Sequence, residues 1–137
     1  MSAKLSLRIA AVLILLHAFG HTFGTLGWKK APNAQVGNVI NDMQNIHFQF
    51  MGRQVSFANF YEGYGISMIF VLLLVAALLW HFSYSIQAKP IAFLTIFLLL
   101  LAFTEYVYFF SFAAAFSLLA GVCAGLSLLQ KSKKATP

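Results

Sequence analysis

His17 and His21 stand four residues apart, so a helix would carry both imidazoles on one face, one turn from each other. Two such rings can give two nitrogen ligands to one zinc or non-haem iron ion. They cannot be the two opposite axial ligands of one haem, because both point from the same side. The pair lacks the glutamate of an HExxH motif, and it would serve equally well as hydrogen-bonding groups between packed helices. Two carboxylates, Glu62 and Glu105, and a third imidazole, His47, accompany it. In a low-dielectric pocket a carboxyl can act as a general acid while histidine accepts or relays the proton. Isomerisation, cyclisation or hydration of a lipophilic molecule needs little more. Glu62, Glu105, His21 and His47 are therefore the acid–base candidates. Asn59, Tyr61, Tyr64, Tyr108 and Arg53 are the candidates to hold a ligand. In the competing reading His17 and His21 bind a metal; for haem, His21 or His47 would be the axial ligand, with Arg53 or Lys30 on a propionate.

The segments that must position these residues are built for lipid. Of 137 residues, 61% are hydrophobic and only 9% are Asp, Glu, Lys or Arg, where a soluble domain carries about 25% charge. Crossing a bilayer takes about 20 apolar residues, and such runs fall at about residues 9–28, 60–82, 90–108 and 112–130. The expectation is an all-α integral membrane four-helix bundle, one domain over residues 1–137. Lys4 and Arg8 ahead of an apolar run imitate a secretory signal. The run continues through Gly20, Gly24 and Gly27 without a cleavage site, so it is read as an uncleaved anchor. Pro90 suits a first helical turn, where its missing N–H costs nothing. Apolar character from Phe93 to Leu129 is too long for one crossing, so the chain must turn between residues 105 and 111, although no Gly or Pro marks the place.

The net charge of +6 is spread over segment ends rather than gathered in a patch, which argues against nucleic acid as a partner. With the N-terminus inside, Lys4, Arg8, Lys89, Lys131, Lys133 and Lys134 fall on the inner side and Lys29, Lys30 and Arg53 on the outer. The positive-inside rule thus favours two cytoplasmic termini. Cys123 is the only cysteine, which excludes an intramolecular disulfide and a CxxC redox pair.

Between the first two spans Val36, Val39, Ile40, Met43, His47 and Phe50 recur at helical spacing after Asn33, with Gly52 as a C-terminal stop. This predicts a short amphipathic helix over about residues 34–51 on the membrane surface, with Phe48 off its apolar stripe. The first span exits where the second enters and the third exits. His21, Glu62, Glu105 and His47 then share one level, with His17 near mid-depth, and suggest a polar chamber open to the outer face. A charged side chain in a span costs about 3 kcal/mol on insertion scales. Either glutamate could instead be interfacial, paired with Arg53 or Lys30. Gly20 and Gly24 have the small-xxx-small spacing of a helix contact, which allows a homo-oligomer.

The stretch His17-Ala18-Phe19-Gly20-His21-Thr22-Phe23-Gly24-Thr25-Leu26-Gly27-Trp28, with Arg53 and the run Phe60-Tyr61-Glu62-Gly63-Tyr64-Gly65, resembles a family of small four-helix bacterial membrane proteins. The likeness covers the first two spans by residues and the last two by hydropathy alone. DoxX-like proteins are similar only in span count. The resemblance implies a bacterial inner-membrane location and assigns no activity. Three functions stay open: binding or conversion of a lipophilic small molecule at a His/Glu site in the outer half, a metal or haem site, and a non-catalytic membrane subunit or assembly factor.

Overall fold

The computed structural model describes residues 2–134, with side chains through residue 130. The side chains of Lys131, Lys133 and Lys134, on which the charge count partly rests, lie outside the described residues. The chain is all-α with one small hairpin among the described residues: α1 (Ala3–Gly27), α2 (Ala34–Asn45), β1 (His47–Phe50), β2 (Arg53–Ser56), α3 (Phe57–Phe82), α4 (Ala88–Tyr108) and α5 (Ser111–Lys134). The helices α1, α3, α4 and α5 are long and apolar enough to cross a membrane, which makes this a multi-pass membrane protein. Helices are what a lipid solvent demands, since only internal hydrogen bonds can satisfy the backbone there. Just 22–33% of each apolar window is buried within the chain. Phe93, Leu100 and Phe103 are more than 60% exposed, an apolar surface that lipid covers without penalty.

The chain divides into two compact units, residues 1–18 with 71–137, and residues 19–70. In the first, α4 and α5 form an antiparallel pair joined through Phe109 and Phe110, where the required turn falls. Gly121 faces Leu98 and Leu99, and Gly125 faces Thr95. A Cβ on Gly121 would stand 3.1 Å from Leu99 Cδ2, so that glycine lets the two helices approach closely. Leu7, Ile14, Leu72, Leu79, Ile91 and Leu98 are fully buried and form the core with small residues such as Ala10, Ala120 and Ala124. Ser6 Oγ donates to Gln130 Oε1 at 3.0 Å and ties the start of α1 to the end of α5.

In the second unit α2 begins on Asn33, whose Oδ1 accepts from Val36 N as an N-cap should. The helix expected over residues 34–51 ends at Asn45, and the chain turns into the hairpin. The register pairs Phe48 with Val55 and Phe50 with Arg53. Met51 and Gly52 between them have φ of 49° and 80°, the two positive values of a type I′ turn. Gly52 therefore stops no helix; it makes the strand reversal possible. Phe48 and Phe50 both pack on Phe60, with centroids at 6.2 and 5.3 Å, and Phe48 also meets Phe57. Helix α3 opens with a reciprocal cap: Asn59 Oδ1 accepts from Ser56 N, and Ser56 Oγ accepts from Asn59 N. That is a capping box with Asn in place of Glu.

Candidate functional site

Glu105 and His17 meet inside the first unit. His17 Nε2 lies 3.4 Å from Glu105 Oε1, and His17 Nδ1 lies 3.2 Å from Ser117 Oγ. The three come from α1, α4 and α5, and Phe116 stacks on the imidazole. His17 and Glu105 are 6% exposed and Ser117 is fully buried. Glu105 Oε2 is buried without a hydrogen-bond partner among the described residues.

A histidine between a hydroxyl and a carboxylate has two hydrogen-bond patterns that engage both ring nitrogens. In one, Ser117 O–H donates to Nδ1 and Nε2–H donates to the carboxylate. In the other, a protonated Glu105 donates to Nε2 and Nδ1–H donates to Ser117 Oγ. Both give each ring nitrogen of His17 a partner, leave Glu105 Oε2 unpaired among the described residues, and differ by a proton relayed across the ring. The cluster is therefore competent to hold or pass a proton within a lipid-spanning region.

The second unit holds the other candidates except Tyr108, and three of them, Glu62, Tyr61 and His21, engage neighbours that the sequence did not single out as site residues. Glu62 Oε1 pairs with Lys29 Nζ at 2.7 Å and accepts from Trp28 Nε1 at 3.3 Å. The expected partners were Arg53 or Lys30; Lys29 is correctly placed because it follows Trp28 at the end of α1, facing the first turns of α3. The Trp28 ring lies 4.9 Å from that of Tyr61. One turn deeper, His21 Nε2 contacts Gly65 O at 3.1 Å. Thr25 packs so closely that a Cβ on Gly65 would sit 2.8 Å from its Cγ2. These contacts latch the C-terminal half of α1 to the N-terminal half of α3, using the two motifs that stand out in the sequence.

The remaining candidates lie elsewhere. His47 is exposed on β1 instead of on a helical stripe, its Nδ1 2.9 Å from Asn45 O. Arg53 is exposed on β2. Asn59 spends its carbonyl oxygen on the α3 cap, and with Phe60, Gly63, Tyr64 and Ser67 it borders a shallow groove of about 230 Å³. Tyr108 is 78% exposed at the end of α4. The expected set is thus divided, with His17 and Glu105 in one unit and His21, His47 and Glu62 in the other. No group of three His, Cys, Asp or Glu fit to hold a metal ion occurs among the described residues. Sequence reasoning missed Ser117, although a hydroxyl in an apolar span is the same kind of signal that singled out His17. No protein-family model, curated protein or solved structure matches the chain.

Proposed function

We propose that this chain is a protein of the bacterial inner membrane, with both termini cytoplasmic, that binds or converts a lipophilic small molecule. Its proton-handling group is the His17–Glu105–Ser117 cluster. The observation that carries the reading is Glu105 Oε2, a buried carboxylate oxygen without a hydrogen-bond partner among the described residues, beside an imidazole. Leaving such an atom unsatisfied costs about 1–3 kcal/mol or more, a cost that a ligand hydroxyl or enol donating to it removes. The location follows from the resemblance of the first two spans and from the basic residues at the span ends. The test is to purify the protein in mild detergent and identify non-phospholipid molecules extracted from it by mass spectrometry. A near-stoichiometric lipophilic compound, lost in Glu105→Gln while the fold persists, is the expected result. Equal and trace content in both proteins removes the reading.

A second reading, a non-catalytic subunit or assembly factor, is favoured by the latch. Its residues His21, Trp28, Lys29 and Glu62 are engaged with their own chain. Gly20 and Gly24 have open space where a Cβ would be, so a second copy could approach α1 there. Retention of a dimer that Gly20→Leu and Gly24→Leu abolish would support this reading. A zinc or haem site on His17 and His21 has no such observation in its favour, because both ring nitrogens of His17 already face Ser117 and Glu105.

A further inference from the structure

At the end of the first unit where α1 begins and α3 finishes, two cations stand over aromatic rings with no carboxylate paired to them among the described residues. The Arg8 guanidinium carbon lies 4.9 Å from the Trp80 ring centroid and 5.4 Å from that of Tyr84. Lys4 Nζ lies 5.8 Å from the same Tyr84 ring. Arg8 Nε also reaches Ser83 Oγ at 3.4 Å. The chain has three acidic side chains, Asp42, Glu62 and Glu105, and none belongs to the stretches that build this corner. Among the described residues neither Arg8 nor Lys4 has an ion pair.

From these cations an apolar groove of about 370 Å³ runs along the unit, bordered by Ala11, Leu15, Leu73, Ala77, Trp80 and Tyr84. Arg8, Ala11 and Leu15 follow one another at helical spacing on one face of α1. Along α3 the order is reversed, from Leu73 through Ala77 to Trp80 in its last turn, with Tyr84 just past its end. One end of the groove is therefore hydrocarbon-like and small-walled, and the other is cationic and aromatic. Trp and Tyr are the residues that settle at headgroup level, and Arg and Lys place their charges there while burying their stems.

We propose that this corner is a binding site for an anionic phospholipid, with its phosphate held by Arg8 and Lys4 and one acyl chain lying along Ala11, Leu15, Leu73 and Ala77. Charge complementarity selects the occupant: a zwitterionic lipid fills the groove equally well but leaves the two cations without net compensation. Basic residues at the membrane surface favour anionic lipid by about fivefold each. The site is independent of the His17–Glu105 reading and uses none of its residues.

The chain has two tryptophans, Trp28 and Trp80, so Trp28→Phe leaves Trp80 as a reporter on the groove itself. The protein is reconstituted in phosphatidylcholine vesicles containing increasing fractions of phosphatidylglycerol or phosphatidylcholine with brominated acyl chains, which quench indole fluorescence on contact. Brominated phosphatidylglycerol is expected to quench Trp80 at a several-fold lower fraction than brominated phosphatidylcholine. Lys4→Gln with Arg8→Gln should bring the two lipids to parity. Ala77→Leu, which fills the groove and leaves the charges, should weaken the preference. Equal quenching by both lipids in the parent protein, or a preference that either variant leaves intact, overturns the proposal. So does displacement by inorganic phosphate at matched ionic strength, which would assign the cations to a free anion. Should Trp28→Phe fail to fold, the unmodified chain in detergent serves instead: phosphatidylglycerol must raise its melting temperature more than phosphatidylcholine does, and an equal rise refutes the site.

Discussion

His17 and Glu105, brought together from α1 and α4, bury an imidazole and a carboxylate side by side with 3.4 Å between Nε2 and Oε1. Removing one member of a buried pair leaves the other uncompensated and costs about 3–5 kcal/mol, whereas replacing both with apolar residues is often neutral. Glu105→Leu and His17→Leu should each destabilise the protein strongly, and the double variant should be far milder than their sum. Unfolding in denaturing detergent, followed by circular dichroism, measures the cycle. Simple additivity would show that the two side chains do not act as a pair.

Glu62 provides the contrast. Its pair with Lys29 is short, at 2.7 Å, but the two side chains are 37% and 55% exposed, and exposed pairs contribute about 0–1 kcal/mol. Glu62→Gln should therefore cost less than about 1 kcal/mol, and the difference between Glu62 and its variant should shrink in high salt. A loss as large as that of Glu105→Leu would mean that Glu62 is far more deeply desolvated than its exposure indicates.

Gly65 sets the depth of the latch. A Cβ there would meet Thr25 Cγ2 at 2.8 Å and Oγ1 at 2.9 Å, and a β-branched side chain on a helix has little freedom to turn away. Gly65→Ala should cost about 1–3 kcal/mol through overpacking, and Thr25→Ala in the same chain should recover most of it. Thermal melting in detergent reads both changes. Failure of the second substitution to rescue the first would place the strain elsewhere.

Hydropathy alone made the four long helices legible, because a lipid solvent leaves few alternatives for runs such as residues 60–82. The turn between α4 and α5 was legible only by length; Phe109 and Phe110, where it falls, carry no turn chemistry of their own. His17 and Glu105 were visible as polar residues in apolar surroundings, but their pairing was not. Chain direction places residues at a depth and says nothing about which faces of four helices meet. For the same reason Lys29 could not be chosen over Lys30 as the partner of Glu62, since both lie in the turn after α1, where side-chain direction follows no fixed period. Ser117 escaped because a serine hydroxyl in a span can bond its own helix backbone, so its composition alone signals little.

The hairpin is the clearest misreading, and its signal was present. Val36, Val39, Ile40 and Met43 have helical spacing, and Phe50 extends that series by coincidence, whereas Phe48 and Phe50 obey the period of two that marks a strand. The misfit of Phe48 to a helical stripe was the clue. Because the turn needs positive φ at both Met51 and Gly52, the strong residue pair for it is Asn-Gly. Met51 is 91% exposed and has no packing to lose. Met51→Asn should therefore stabilise the hairpin by several tenths of a kcal/mol up to about 1, while Gly52→Val should weaken it by about 1–2 kcal/mol. Amide hydrogen exchange at Phe48, Phe50 and Val55 reports the local opening free energy directly. Slower exchange in the first variant and faster exchange in the second would establish the turn; the same rates in both would mean that packing of Phe48 and Phe50 on Phe60 holds the strands together whatever the turn prefers.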